Sequence, residues 1–298
     1  YEPAFASIAK WFRRYRSRAL LFITITAGFA STIFLPLTGW LEIRHGWREA
    51  LVILALLLAV ITIPLHALVL RRRPEDDGLA VDGEAAAPTE EGGVIHAPPP
   101  EGATVRQAMR DPGFWWLAVG FWLATLVSIA AGVHFIPFLT ERGESPAFAA
   151  AAAGAIGAAQ VLARVVVTAL GDRFSLMAIT AGVFLLQGVS VLLMLAGGHV
   201  AIIFAVLLLG AGRGALTLIR ADMMANRYGR AHFGAISGAL TLWLVGARTL
   251  APVGIGWLAV AFGGYNPVMW MLAIAGFVSA LALIPVRPAA IPGVAPEG

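Results

Sequence analysis

Cysteine is absent from the 298-residue sequence, which excludes a disulfide framework and any thiol-ligated metal site. Charged residues are scarce as well. They make up 13% of the chain, whereas an ordinary soluble domain has about 25%. The sequence contains no H-E-x-x-H motif, no G-x-S-x-G motif and no metal-spaced cluster, and these are the patterns that predict a catalytic centre. The sequence therefore predicts neither an enzyme nor a cofactor site.

Hydrophobic residues are abundant instead. They make up 59% of the chain, and the mean hydropathy is +0.82. These values predict an all-α polytopic membrane protein that lies in a lipid bilayer. The net charge of +4 comes from basic residues in short loops at the ends of apolar segments. Because no aromatic and basic patch occurs outside those loops, nucleic acid is not a predicted partner.

Eight apolar segments are long enough to cross a hydrocarbon core of about 30 Å. Two of them, separated by a predicted loop at Leu41–Arg48, precede a long polar linker, and six follow it. The predicted spans are Ala19–Trp40, Glu49–Leu70, Phe114–Leu139, Ala147–Leu170, Leu176–Ala196, Val200–Ile219, Phe233–Phe262 and Asn266–Val286. A shorter apolar stretch, Tyr1–Phe12, is typical of the last turns of a truncated helix.

This pattern divides the chain into four predicted regions. Residues 1–70 are predicted to be the remnant of an N-terminal helix bundle, with the end of its helix 4 and its helices 5 and 6. Residues 71–112 are a disordered linker, residues 113–287 are a six-helix bundle and residues 288–298 are a tail. Within the linker, Thr104–Arg110 is predicted to form a short amphipathic helix. Basic residues concentrate in alternate loops, so the linker and tail are predicted to be cytoplasmic and the protein to lie in the inner (plasma) membrane.

One predicted span carries a charge. Ala147–Leu170 is small or apolar except for a polar stripe, and Gly157, Gln160, Arg164 and Thr168 share that helix face. An arginine at bilayer depth costs about 2.5–3.5 kcal/mol on insertion scales. We therefore expect the stripe to face a bundle interior or a water-filled cavity, where a cation would suit an anionic solute.

Four further motifs are informative: LGDRFS at Leu170–Ser175, RQAMRDPGFWWL at Arg106–Leu117, YEPAFASIAKWFRRYRSRAL, and GAGRGALTLIRADMMANRYGRAHFGAISG. Together with the span count they resemble the major facilitator superfamily, and within it the oxalate/formate antiporter and monocarboxylate transporter branch. The resemblance implies a major facilitator fold that lacks about the first three and a half of twelve helices. It also implies a secondary transporter of small organic anions (mono- or dicarboxylates) that works by alternating access, as a full-length monomer.

The resemblance also implies roles for individual residues. Arg164 matches the eighth-helix arginine that binds the substrate carboxylate, and Arg248 lies where oxalate carriers place a second cation. Gln160 stands where proton-coupled monocarboxylate carriers have an aspartate, which puts proton coupling through that helix in doubt. Glu2, beside the proline of the fourth helix, is either a protonatable coupling group or the counter-ion of an arginine.

Other candidates have two possible roles each. Arg213 either lines the cavity or anchors the end of its helix. Gly171, Asp172 and Arg173 either gate the cytoplasmic mouth or form a solvated loop. His134, near the outer end of its helix, is either part of a site or an interfacial residue.

Two other functions remain open from the sequence. The same fold moves neutral or lipophilic compounds by proton antiport if its remaining helices carry buried acids. A non-transporting membrane receptor is a more remote alternative. An intramembrane enzyme is disfavoured, because it needs converging His, Asp, Glu or Ser groups at one depth, and the histidines here are scattered.

Overall fold

A computed structural model of the chain describes residues 2–71, 74–83, 102–171 and 173–286. Its contacts form two units: one combines the first six residues with everything from Pro98 onward, and the other is Ser7–Ala97. The α-helices of the described part are α1 (Glu2–Trp11), α2 (Arg16–Val69), α3 (Val105–Arg110), α4 (Pro112–Val133), α5 (Phe135–Glu141), α6 (Pro146–Leu170), α7 (Leu176–Ala196), α8 (His199–Tyr228), α9 (Phe233–Ala261) and α10 (Tyr265–Leu281).

In the smaller unit, α2 is a long helix interrupted at a single residue. Gly46 has φ 75° and ψ 161°, and it is the one non-helical residue between Arg16 and Val69. Glycine adopts this left-handed φ without a Cβ clash. The predicted eight-residue loop at Leu41–Arg48 is therefore wrong, because helix continues up to this glycine and resumes directly after it.

The first residues of the linker are also ordered within this unit. Pro74–Asp77 and Val81–Gly83 form two 3-10 turns. The Asp82 carboxylate accepts hydrogen bonds from the backbone N–H groups of Arg13 and Arg14, each at 3.0 Å, in the turn between α1 and α2. The predicted disorder is therefore wrong for this stretch, and the linker from residue 84 to residue 101 lies outside the described residues.

The larger unit is a bundle of α4, α6, α7, α8, α9 and α10. Helix α8 packs between α6 and α7, α7 packs on α10, and α4 packs on both α9 and α10. Helices α6 and α7 are joined by a short loop, yet each packs mainly on α8 rather than on the other. The bundle has two ends, named here the Asp111 end and the Arg142 end after residues that lie there.

Two helix boundaries in this bundle differ from the prediction. The span Phe114–Leu139 is two helices, α4 and α5, which meet at His134. Pro137 has no N–H to continue the hydrogen-bond ladder, so the helix breaks one turn before it. Helix α8 continues past the predicted end at Ile219 to Tyr228, because the arginines that seemed to mark its end are buried in the bundle.

The remaining elements follow the sequence closely, except that α10 ends at Leu281, five residues before the predicted end at Val286. Helix α7 has the predicted bounds, α6 and α9 differ from theirs by one residue at one end, and the predicted short helix at Thr104–Arg110 is α3 with Thr104 as its cap. Six helices of the described part are long and apolar enough to cross a membrane. The apolar helix α10 is shorter, at 17 residues. The prediction of an all-helical, multi-pass membrane protein is confirmed.

Candidate functional site

Close contact between α6 and α8 positions the predicted polar stripe. A Cβ on Gly214 of α8 would lie 2.8 Å from the Gln160 Cα and nearer still to the Gln160 carbonyl oxygen. A Cβ on Gly210, one turn away, would lie 2.7 Å from the Ile156 carbonyl oxygen. Glycines at this spacing let two membrane helices approach to backbone contact. The position of Gln160 is therefore set by α8.

Arg164 lies one helical turn beyond Gln160 and is 8% exposed. It is the buried member of the stripe, whereas Gly157 is exposed. The Thr168 hydroxyl donates to the Arg164 carbonyl oxygen at 2.9 Å, so this hydroxyl is used within the helix, as is common for threonine in membrane helices. Of the four predicted stripe residues, Arg164 and Gln160 are the two whose side chains remain candidates for solute contact.

Arg213 occupies the middle of α8, with about 21 Å of helix on either side of it at 1.5 Å per residue. Its half-buried guanidinium reaches α4, where Nη1 would lie 2.7 Å from a Cβ built on Gly132. No residue in the described part of the chain forms an ion pair or hydrogen bond with it. Because Gly132 has no side chain, it leaves the space that the Arg213 guanidinium occupies.

Arg248 lies near the middle of α9 and is exposed. Pro252, one turn later, cannot donate an N–H to the Arg248 carbonyl, so the helical ladder is interrupted here. Thr241, on the same face, has a buried hydroxyl with no hydrogen-bond partner among the described residues. Arg248 and Thr241 thus form a polar strip on one face of an otherwise apolar helix.

The C-terminal end of α4 is hydrogen-bonded to α9 and α10 through His134. His134 is buried, its Nε2 lies 3.0 Å from the Pro252 carbonyl oxygen, and its Nδ1 lies 3.1 Å from the Tyr265 hydroxyl. A carbonyl oxygen can only accept, so Nε2 carries the proton and, in the neutral ring, Nδ1 accepts from the tyrosine. His134 therefore joins α4 to α9 and α10. A part in a site stays a prediction for this residue.

The three arginines are brought to one bundle but not into contact with one another. The Arg213 guanidinium lies next to Gly132, near the end of α4. Two residues later, His134 contacts Pro252, which lies one turn after Arg248 in α9. Arg213 and that turn of α9 thus both meet the end of α4. Arg164 lies on α6, nearer the Asp111 end of the bundle.

The remaining predicted residues are less constrained. Gly171 caps the end of α6, and Arg173 is exposed with no ion pair to any residue that the structure describes. Asp172 lies outside the described residues. Glu2 is the first residue of α1, and its side chain also lies outside the described part. The gating and coupling roles of these residues stay predictions.

One ion-pair cluster that the sequence analysis missed lies at the Asp111 end. Asp111 caps α4 by accepting from the Gly113 N–H at 2.9 Å, and its other oxygen lies 2.8 Å from Arg227 Nη2 and accepts from the Tyr228 hydroxyl at 2.8 Å. Burial raises the pKa of Asp111, but hydrogen bonds from Tyr228, Gly113 and Arg227 outweigh it and hold this pKa below its ordinary value. The signal was present as Asp-Pro-Gly, a helix cap followed by proline at the first helical position.

At the opposite end of the bundle, two charged side chains bind the backbone of neighbouring helices. Arg142 Nη1 donates to the carbonyl oxygens of Met194 and Leu195, which end α7, at 3.0 and 2.6 Å. Glu141 accepts from the Tyr265 N–H at the start of α10, at 3.0 Å. The cation thus meets a helix C-terminus and the anion a helix N-terminus, as the helix dipole favours.

Buried polar groups also occur within the bundle. Gln187 is 0% exposed, and neither of its amide atoms has a hydrogen-bond partner among the described residues. Its side chain packs against Gly212, where a Cβ would lie 2.7 Å from Gln187 Cγ. The described residues hold no group of three or more His, Asp or Glu placed to bind a metal ion. The polar features of the bundle are thus arginines, amides and hydroxyls.

Comparison with known proteins identifies a family and a similar fold. The sequence model of the Major Facilitator Superfamily matches residues 2–244. The riboflavin transporter RibJ of Trypanosoma brucei brucei is 29% identical over 83 residues, which are 28% of this chain and 15% of that transporter. The structure is similar to that of a variant of the E. coli fucose:proton symporter, with a TM-score of 0.68 and 15% identity over 95% of this chain and 72% of that one. The structural likeness confirms the predicted fold.

Proposed function

The chain belongs to the major facilitator superfamily, and from this premise we propose that the whole protein is a secondary transporter of small organic anions. Mono- and dicarboxylates are the proposed substrates, and alternating access is the proposed mechanism. The family supports transport across the membrane, and the arginines of the larger unit support the choice of an anion. The resemblance to oxalate/formate antiporters and monocarboxylate transporters gives the proposed branch.

The observation that carries the choice of an anion is Arg213. A guanidinium at the middle of a membrane helix is costly unless it faces a partner or water. Within the described residues Arg213 has no counter-ion, and a glycine leaves space for its end. Its planar fork suits a bidentate contact with a carboxylate. A carboxylate solute would supply the partner that this part of the protein does not.

Arg164 and Arg248 are proposed to complete the site. Arg164 is nearer the Asp111 end of the bundle, and Arg248 lies at mid-helix on α9. In an alternating-access cycle, cations at two depths can pass an anion from one side to the other. Arg213, whose guanidinium reaches the end of α4, would contact the solute together with them.

The coupling mode follows from a neighbouring residue. Gln160 does not titrate, and it lies where a proton-coupled relative would have an acid. We therefore propose anion exchange rather than proton symport. Glu2 is the acid proposed to take part if a proton does move.

To test the proposed site, one arginine at a time is replaced in the full-length protein, and anion transport is measured in proteoliposomes. Arg213→Gln and Arg164→Gln each remove a charged hydrogen bond worth about 1.5–3 kcal/mol, so the half-saturating anion concentration should rise about tenfold or more for each variant. The matched control is Arg110→Gln, an exposed arginine at the end of α3, which should transport like the wild type. Normal anion affinity in both site variants would refute the proposed site.

A second candidate substrate class is neutral. The two named relatives carry riboflavin and fucose, neither of which is a carboxylate, and this favours a neutral solute moved with protons. In that case the arginines are structural, and uptake should not depend on Arg213. Uptake of labelled oxalate, riboflavin and fucose, each measured alone, separates the two candidates, because a neutral-solute site would take up an uncharged compound and not oxalate.

The orientation and assembly state belong to the same proposal. The basic loops support placing the linker and the Asp111 end of the bundle in the cytoplasm. The proposed location is the inner membrane of the cell, and the proposed functional form is a full-length monomer. Protease accessibility of the linker in sealed vesicles of known orientation tests the first statement.

A further inference from the structure

A groove opens between α6 and α7 because the two helices diverge while both pack on α8. Its volume is about 440 Å³, which falls within the range of ligand pockets. Every residue that lines it is apolar or glycine: Ala159, Leu162, Ala163, Val166, Val167, Leu170, Phe174, Ala178, Ile179, Gly182, Val183, Leu186, Leu207 and Ala211. This α6–α7 groove therefore offers no hydrogen bond to a polar solute.

The walls of the groove are incompletely covered by the bundle. Leu162 is 66% exposed, Val166 55% and Phe174 57%. Leu207 and Ala211 of α8 form its floor. It runs toward the Asp111 end, where Leu170 and Phe174 mark the mouth. A long, unbranched apolar chain would cover these side chains.

The mouth of the groove carries an exposed arginine. Arg173, next to Phe174, is exposed and forms no ion pair with the residues that the structure describes. Helix α7 begins at Leu176, three residues after Arg173, with Ser175 as its cap. The first amides of a helix favour a negative group. A chain with an anionic end would thus match both the groove and its mouth.

We propose that the α6–α7 groove is a binding site for one anionic phospholipid. One acyl chain lies along the apolar walls, and the headgroup phosphate contacts Arg173. In the orientation that the basic loops predict, the lipid belongs to the cytoplasmic leaflet, where anionic lipids attract basic residues. The site is separate from the proposed solute site, because its lining contains none of the three arginines.

Native mass spectrometry of the full-length protein in detergent tests this site. The probes are phosphatidylglycerol and phosphatidylcholine with identical acyl chains. Gly182→Leu fills the groove, because a Cβ at this position meets nothing within 4 Å, and Arg173→Gln removes the charge at its mouth. The matched controls are Gly154→Leu, on α6 outside the groove and likewise unobstructed, and Arg110→Gln at the same end of the bundle.

We expect one phosphatidylglycerol to bind saturably and more tightly than phosphatidylcholine. Gly182→Leu should abolish this binding, while Arg173→Gln should weaken it about fivefold, because one basic residue near an anionic lipid surface contributes about 1 kcal/mol. Both controls should bind like the wild type. Equal binding of the two lipids, or unchanged phosphatidylglycerol binding by either groove variant, would overturn the proposal. Lipid binding is measured without transport, so failure of the anion proposal leaves this test intact.

Discussion

Replacing Gly214 by alanine should force α6 and α8 apart at the candidate site. The added Cβ would lie 2.8 Å from the Gln160 Cα and 2.9 Å from its carbonyl carbon, whereas carbon atoms pack at about 3.5–4.0 Å. These are backbone atoms, so no change of rotamer relieves the overlap. Helix α6 must retreat by about 1 Å, and Arg164 moves with it.

The size of the effect follows from two opposing terms. Overpacking a well-packed interior costs about 1–3 kcal/mol. Replacing a mid-helix glycine by alanine returns about 0.5–1 kcal/mol through helix propensity. The net loss should be up to about 2.5 kcal/mol, and each kcal/mol lowers Tm by about 2–4 °C in a domain of 150–250 residues.

Thermal unfolding of the purified full-length protein measures this loss, and oxalate exchange measures its effect on the site. Gly154→Ala and Gly157→Ala are matched controls on α6, because a Cβ at either position meets nothing within 4 Å. Both controls should be slightly more stable than the wild type. If Gly214→Ala were equally stabilised and transported normally, the close α6–α8 contact would be refuted.

Three further predictions concern the ends and the interior of the bundle. The Asp111 carboxylate has a lowered pKa, so the stability that it contributes is present above its ordinary pKa and is lost as the pH falls. The difference in Tm between the wild type and Asp111→Asn should therefore be constant near pH 5–8 and shrink below about pH 4. Arg142→Gln removes hydrogen bonds to the end of α7 and should cost about 1–3 kcal/mol of unfolding free energy, whereas Arg110→Gln should cost nothing measurable. Gln187→Met replaces a buried amide whose atoms lack partners among the described residues and should stabilise the protein by about 1 kcal/mol in thermal unfolding; destabilisation would show that the amide is satisfied.

Most of the fold was predictable because membrane helices are long and apolar. Helix α7 begins and ends where its apolar run does, between a serine cap and a glycine. The prediction failed where one residue changes the backbone locally. Gly46 breaks α2 without a loop, and nothing in the polar composition around it distinguishes a one-residue kink from a turn.

The candidate site was predictable in its residue types but not in its contacts. Arg164, Arg213 and Arg248 stand out in any apolar sequence, because charge at bilayer depth is rare. That Gly132 makes room for Arg213, or that Asp111 binds Arg227, depends on which helices are neighbours. Those pairs are separated by dozens of residues, and hydrophobic periodicity carries no information about such contacts.

The central claim is anion transport, and exchange in proteoliposomes tests it most directly. Full-length protein would be reconstituted into liposomes that are empty or preloaded with unlabelled oxalate, and uptake of labelled oxalate, formate and lactate would be followed. We expect uptake only into preloaded liposomes, and a half-saturating anion concentration about tenfold higher or more in Arg213→Gln. No uptake of any carboxylate under either condition, with the protein correctly inserted, would contradict it.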